Sequence, residues 1–191
     1  MSTVTALRRE GRHEDDVVSK LIDQHARIRG LFEEVRTSVG EQRQQAFEEL
    51  RALLIVHETA EEMIVRPVIR HLLGDGEPNA RNAEEADANR GLADLSALQT
   101  DDVEFLVRFA ELEKAVDAHA RAEEAFEFQA IAEGCPLDER TLMGRQLDAA
   151  VKVAPTRPHP GLMGHEMTVL TVGPIAALID RVRDAIKSAL T

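Results

Sequence analysis

Two pairs of histidine and glutamate in this 191-residue chain share the same spacing. His57 and Glu61 are four residues apart in LIVHETAEEMIV, and His119 and Glu123 repeat that spacing in AVDAHARAEEAF. On an α-helix, residues i and i+4 lie on one face, so each pair can offer an imidazole and a carboxylate to a single metal ion. These ligands suit iron, manganese or zinc. The repeated spacing therefore predicts a metal site between two helices.

Apolar residues flank both pairs at helical spacing. The stripe around the first pair contains Leu50, Leu53, Leu54, Ile64, Val65 and Val68, and the stripe around the second contains Leu106, Phe109, Leu112, Val116 and Phe126. Both pairs should therefore face the core, where a carboxylate is costly unless it is paired or binds a metal. His25 lies in the apolar stripe of the first predicted helix and is a third candidate ligand. The competing interpretation is that these residues form ordinary hydrogen-bonded pairs in glutamate-rich helices.

The periodicity and the turn signals predict an all-α fold, an up-down-up-down four-helix bundle with a C-terminal helical extension. We expect helices at about 14–38, 42–73, 80–98 and 101–132. The predicted divisions are a tail at 1–13, the bundle at 14–133 and an extension with a proline-rich loop at 134–191. Pro67 should kink or locally break the second helix. Pro78 should lie in the turn beyond that helix, and Thr100, Asp101 and Asp102 should cap the fourth helix.

The order and spacing of His25, the His57/Glu61 pair and the His119/Glu123 pair resemble those of the hemerythrin-like (HHE cation-binding) proteins. The resemblance covers the predicted bundle. Members of that family are four-helix bundles that hold two iron ions, with a histidine from the first helix, HxxxE from the second, usually a histidine from the third and HxxxE from the fourth. The resemblance implies two non-haem iron ions here, with both glutamates bridging them and the histidines as terminal ligands.

The third predicted helix departs from the family pattern. No histidine occurs between His71 and His119, so the usual imidazole ligand has no counterpart. Glu85 lies on the apolar stripe at the vacant place and is the expected substitute, whereas Glu84 or Asp87 would serve if the register differs. Alternatively, these acidic residues only favour the start of a helix through its dipole.

A third carboxylate among the ligands adds negative charge, which favours ferric iron and should lower the reduction potential. We therefore expect a protein that binds or reacts with oxygen, peroxide or nitric oxide, in redox response or sensing. The alternatives are an iron or oxygen storage protein without turnover, and a zinc-binding structural or signalling bundle. A peroxide- or oxygen-reactive di-iron oxidoreductase is one interpretation, and no catalytic residue is assigned. His159 and His165 flank the proline-rich loop, where either would be an extra ligand or a gate.

The composition bears on partners and location. With 35 acidic and 23 basic residues the net charge is −12, which argues against nucleic acid and anionic membranes. No apolar run is long enough to span a membrane, and the N-terminus lacks the apolar region of a signal peptide. The single cysteine, Cys135, excludes an intramolecular disulfide. These features predict a cytoplasmic monomer or homodimer whose ligand is a small molecule.

Overall fold

The computed structural model describes residues 13–153 and 173–189, and six helices account for most of this part of the chain. They are α1 (Val17–Thr37), α2 (Gly40–Ala60, Glu61–Val65 and Arg66–Leu73), α3 (Gly76–Leu95), α4 (Val103–Ala122, Glu123–Glu127 and Phe128–Gly134), α5 (Leu137–Lys152) and α6 (Gly173–Ala189). The described residues contain no strand, which confirms the predicted all-α class. No described helix is long and apolar enough to cross a bilayer. The proline-rich loop with His159 and His165 lies outside the described residues.

Short connections join the four bundle helices, α1 to α4, and local signals fix their ends. The Asp16 side chain caps α1 by accepting a hydrogen bond of 3.0 Å from the backbone N–H of Val18. Gly40 begins α2 and Gly74 follows its end, with φ of 58° and 80° respectively. Glycine adopts this left-handed conformation without the strain that a Cβ would cause. The short connections make consecutive helices antiparallel neighbours.

The third helix begins earlier than predicted. It starts at Gly76, so Pro78 lies inside its first turn and not in the preceding turn. The N–H groups of the first helical turn have no partner within the helix, and proline is therefore tolerated there.

The predicted cap of the fourth helix is also wrong in its detail. Asp102 precedes α4 but makes no side-chain capping bond. The Asp101 carboxylate instead accepts hydrogen bonds from the backbone N–H of Gly40 at 3.0 Å and from Arg43 Nη1 at 2.7 Å. These bonds tie the start of α4 to the start of α2.

Four phenylalanines pack together where α1 ends and where α2 and α4 begin. The ring centroids lie 5.0 Å apart for Phe47 and Phe105, 5.5 Å for Phe105 and Phe109, and 5.2 Å for Phe32 and Phe109. Aromatic pairs at these distances stabilise the core beyond the area that they bury. This cluster fills one end of the bundle, and the predicted ligands lie several turns further along the helices.

One π-helical turn interrupts each of α2 and α4, and each begins at the glutamate of a His–Glu pair. In α4 the N–H of Phe128 bonds to the carbonyl of Glu123, five residues back. Because such a turn takes up one extra residue, the inward-facing positions shift after it. Phe128 is consequently buried and Phe126 is 59% exposed, so the predicted core position of Phe126 is wrong.

Pro67 does not break the second helix. The local change lies just before it, in the π-helical turn Glu61–Val65, and the α-helix then resumes over Arg66–Leu73. Pro67 is therefore in the first turn of the resumed segment, where its missing N–H leaves no regular α-helical bond unmade.

The helices of the extension, α5 and α6, pack against α1 and α2. α5 crosses the start of α1 so closely that a Cβ added to Gly144 would lie 1.9 Å from the backbone oxygen of Asp15. An ion pair of 2.9 Å between Lys20 and Asp148 joins the same two helices. Leu178, Val182 and Ile186 of α6 are buried in the shared core.

Candidate metal centre

The six side chains that the sequence predicts as ligands meet inside the bundle, although they come from four different helices. They form two groups that share Glu61 and Glu123. Subsite A consists of His25, His57, Glu61 and Glu123, and subsite B consists of Glu61, Glu85, His119 and Glu123. Within each subsite, one ligand atom of every residue lies within 4.8 Å of the others. All six residues also belong to the interior of the bundle, as their apolar stripes predict.

In subsite A, two imidazoles face two carboxylates. His25 Nε2 lies 3.1 Å from His57 Nε2 and 3.4 Å from Glu123 Oε2, and His57 Nε2 lies 3.4 Å from Glu61 Oε2. The His25 ring stacks on Phe128 with centroids 5.3 Å apart, which fixes its orientation.

An acceptor behind each histidine orients the ring. The Nδ1 atoms lie within hydrogen-bonding distance of carboxylate or amide oxygens, 3.0 Å for His25 and Glu124, 2.8 Å for His57 and Gln24, and 2.9 Å for His119 and Glu84. These contacts favour a proton on Nδ1 and a lone pair on Nε2, the arrangement typical of metal-binding histidines. The Nε2 lone pairs of the two subsite A histidines then face each other and repel unless a proton or another cation lies between them.

In subsite B, a buried arginine shares the space with the predicted ligands. His119 Nε2 lies 3.2 Å from Glu123 Oε1 and 3.7 Å from Glu85 Oε1. Arg66 Nη2 donates to both of those oxygens, at 2.8 Å in the case of Glu123. Its Nη1 donates to Glu127, which is also fully buried. The guanidinium thus compensates part of the negative charge on this side of the centre.

Several buried ligand atoms have no hydrogen-bond partner among the described residues. They are both carboxylate oxygens of Glu61, Oε2 of Glu123 and Nε2 of His119. Leaving a buried polar atom unpaired costs about 1–3 kcal/mol, and more when the group is charged. A cation in each subsite would satisfy these atoms, and a set of imidazole and carboxylate ligands suits iron, manganese or zinc. The residues present therefore fit a bound metal.

The pKa values of the centre bear on that fit. Burial acts to lower the pKa of His119, but contacts with Glu123 raise it to about 9, so a metal ion bound there must displace a proton. Burial, together with the neighbouring His25, lowers the pKa of His57 to about 3, so this imidazole is neutral and offers its lone pair. Burial and the charge of Glu123 raise the pKa of Glu61 well above its ordinary value. Burial also acts to raise the pKa of Glu123, but the close approach of His119 and His25 outweighs it and lowers that pKa. These opposed shifts mean that the two close carboxyl groups do not both ionise readily, and a bound cation would favour the ionised form of each.

The two alternative third-helix ligands lie further out. Glu84 contacts Nδ1 of His119 from behind and also accepts a hydrogen bond of 2.7 Å from Arg81. Asp87 is exposed and pairs with Arg90. Neither belongs to the two groups of converging ligand atoms.

Sequence reasoning missed Arg66 and Glu127. Glu127 follows Glu123 by four residues, so an extended HxxxExxxE reading of α4 would have found it. Arg66 is five residues after Glu61, which on a regular α-helix points about 140° away from it. The signal for Arg66 was a single charge within the apolar run MIVRPVI.

A cavity of about 800 Å³ lies between α1, α2, α3 and α4 and reaches the centre. Its apolar walls include Ile28, Phe32, Leu54 and Val116. Its polar lining includes side chains of the centre: His25, His57, Glu85 and His119. The space is large enough to admit a small molecule to the ligands.

A helical bundle with two facing His–Glu pairs defines the class as a helical cation-binding protein. A family model described as the hemerythrin HHE cation binding domain matches residues 16–131. The chain belongs to that family, which confirms the resemblance inferred from the spacing.

Among curated proteins, a DNA nickase from Nostoc sp. (strain PCC 7120 / SAG 25.82 / UTEX 2576) is 31% identical over 108 residues. The match covers 56% of this chain and 31% of that protein, so the chain spans about a third of the relative's length. No solved structure matches the chain.

Proposed function

We propose that this protein holds two non-haem iron ions and binds or reacts with oxygen, peroxide or nitric oxide, in redox response or sensing. The observation that carries the proposal is the pair of subsites that share Glu61 and Glu123, with buried ligand atoms that lack other partners. Shared carboxylates between facing helices are how other bundles hold two metal ions. Iron, when bound, would supply the electron-transfer chemistry that side chains lack.

The chain's own residues would hold the ions and control access to them. The three histidines would coordinate through Nε2, because the acceptors at Nδ1 both fix the rings and increase their basicity. The apolar walls of the cavity would limit water near the centre while admitting a small ligand. The carboxylate of Glu85 would keep the reduction potential low, which favours redox reaction over reversible oxygen carriage.

The test is iron content combined with absorbance. Protein produced with adequate iron should contain about two iron ions per chain, one for each subsite, and should absorb in the near-ultraviolet, where the lack of Trp and Tyr leaves little background. His57→Ala should lose most of the iron. His71→Ala is the matched control, because His71 is an exposed histidine of the same helix, outside the centre.

Three outcomes separate the proposal from its alternatives. Rapid oxidation of the ferrous protein by oxygen or peroxide in stopped-flow mixing supports redox chemistry, whereas stable iron without reaction favours storage or binding. Bound zinc without near-ultraviolet absorption favours a structural or signalling bundle. Iron content near zero in well-folded protein would exclude the di-iron proposal.

We also propose that this protein does not bind nucleic acid, although part of the chain is similar to a DNA nickase. The net charge of −12 opposes association with the phosphate backbone. Incubation with supercoiled plasmid, with and without iron, tests this directly, and nicking that disappears in His57→Ala would contradict it. A cytoplasmic location and a monomeric or homodimeric state remain our predictions from the sequence.

A further inference from the structure

We infer that Arg66 makes the two subsites unequal, so that subsite A binds a divalent cation tightly and subsite B binds one weakly. The inference rests on the proposed function, because it requires the centre to bind metal. It goes beyond that function by predicting the order in which the two subsites bind metal ions and by naming Arg66 as the residue that determines this order.

The contacts of Arg66 fall on subsite B. The side chain is fully buried, and its Nη2 donates to Glu85 Oε1 and to Glu123 Oε1. These are the same oxygens that approach Nε2 of His119, at 3.7 Å and 3.2 Å respectively. A metal ion bound through His119 would therefore have to share both oxygens with the guanidinium.

Subsite A has no such competitor. Its carboxylate atoms, Oε2 of Glu61 and Oε2 of Glu123, lack hydrogen-bond partners among the described residues. Arg66 Nη2 lies 3.9 Å from Oε2 of Glu61 on this side. Two imidazole nitrogens complete the set, against one in subsite B.

The guanidinium cannot leave its position without cost. Its Nη1 is held by the buried carboxylate of Glu127, and its Nε donates to Asn82 at 3.3 Å. Arginine does not lose its proton in proteins, so the positive charge persists beside any cation in subsite B. Competition for charge-assisted hydrogen bonds should weaken binding there by about tenfold or more.

In the experiment, metal-free protein is titrated anaerobically with Co²⁺, and binding is measured by calorimetry and by visible absorbance. The wild type should show two binding events whose dissociation constants differ by about tenfold or more. His25→Ala alters only subsite A and should abolish the tight event. His119→Ala alters only subsite B and should abolish the weak event.

A charge-matched double variant tests the role of Arg66 itself. Arg66→Gln with Glu127→Gln removes the cation and the carboxylate that anchors it, so the net charge is unchanged. The affinity for the second ion should rise by about tenfold, while that for the first changes by less than about threefold. Arg43→Gln is the control, because Arg43 is another buried arginine and contacts Val35 and Thr100 at the far end of the bundle.

The outcomes separate this inference from the proposed function. Two ions of equal affinity in the wild type, or loss of the tight event in His119→Ala, would overturn the inference and leave metal binding intact. An unchanged second affinity in a folded double variant would overturn it as well. If the double variant does not fold, the two histidine variants decide the question. Absence of any binding would overturn both proposals.

Discussion

Replacing Glu61 by glutamine should stabilise the metal-free protein and should reduce the stabilisation that bound metal provides. This side chain is fully buried and neither carboxylate oxygen has a hydrogen-bond partner among the described residues. Without a cation, burial and the charge of Glu123 raise the pKa of Glu61, so the folded protein at neutral pH must either hold an extra proton on Glu61 or bury a second negative charge. Glu61→Gln removes this cost, and the new amide N–H can donate to the unpaired Oε2 of Glu123. We expect the metal-free variant to be more stable than the wild type by about 1–3 kcal/mol, the cost of an unsatisfied buried group.

The same substitution should weaken the response to metal. Glu61 belongs to both subsites, so its replacement removes a ligand from each of them. A metal ion that binds only the folded state raises the free energy of unfolding by an amount that grows with its affinity. The increase in melting temperature on adding metal should therefore be much smaller in Glu61→Gln than in the wild type.

Thermal unfolding followed by circular dichroism, with chelator and with excess Zn²⁺, measures both effects. A gain of about 1–3 kcal/mol corresponds to a rise of about 2–12 °C in melting temperature for a chain of this size. Glu62→Gln is the matched control, since Glu62 is the adjacent residue, is exposed and pairs only with Arg183 in the described contacts, at 3.5 Å. A metal-free Glu61→Gln protein that melts lower than the wild type, with an undiminished response to metal, would refute the reasoning.

Two further predictions concern the packing of the extension and the redox properties of the centre. Gly144→Ala should lower the free energy of unfolding by about 1–3 kcal/mol in denaturant titrations, because its Cβ would overlap the Asp15 backbone oxygen. Gly30→Ala, with nothing within 4 Å of the added Cβ, should instead stabilise the protein by about 0.5–1 kcal/mol, and equal effects of the two changes would contradict the close approach. In iron-loaded protein, Glu85→His should raise the reduction potential by about 130 mV, since removing one charge at about 5 Å is worth about 3 kcal/mol at an effective dielectric constant of 20. An unchanged potential with unchanged iron content in a redox titration would place Glu85 outside the ligand set.

The residues that converge could be proposed from the sequence because their spacing alone carries the information. His57 and Glu61 share a helical face at i and i+4 whatever surrounds them, and His119 and Glu123 do the same. The apolar stripes then indicate that these faces point inward. Glu85 was placed by its position on a stripe and by the lack of any histidine in the third helix, and it lies within subsite B.

Features that depend on departures from a regular helix were not predicted. The periodicity of 3.6 residues placed Phe126 in the core, whereas the π-helical turn exposes it and buries Phe128. Hydrogen bonds between different helices could not be predicted from the sequence either. Asp101 has the position of a helix cap, yet its carboxylate bonds to Gly40 and Arg43 on another helix.

The two π-helical turns explain why a centre built from two similar halves is asymmetric. Each turn begins at a shared glutamate, and in each the fifth residue after that glutamate is buried. In α4 that residue is Phe128, whose ring stacks on His25 in subsite A and adds no charge. In α2 it is Arg66, whose guanidinium binds the carboxylates of subsite B. The same π-helical turn thus places an apolar ring beside subsite A and a permanent cation beside subsite B. The difference between the subsites follows from the identity of these two residues, Phe128 and Arg66.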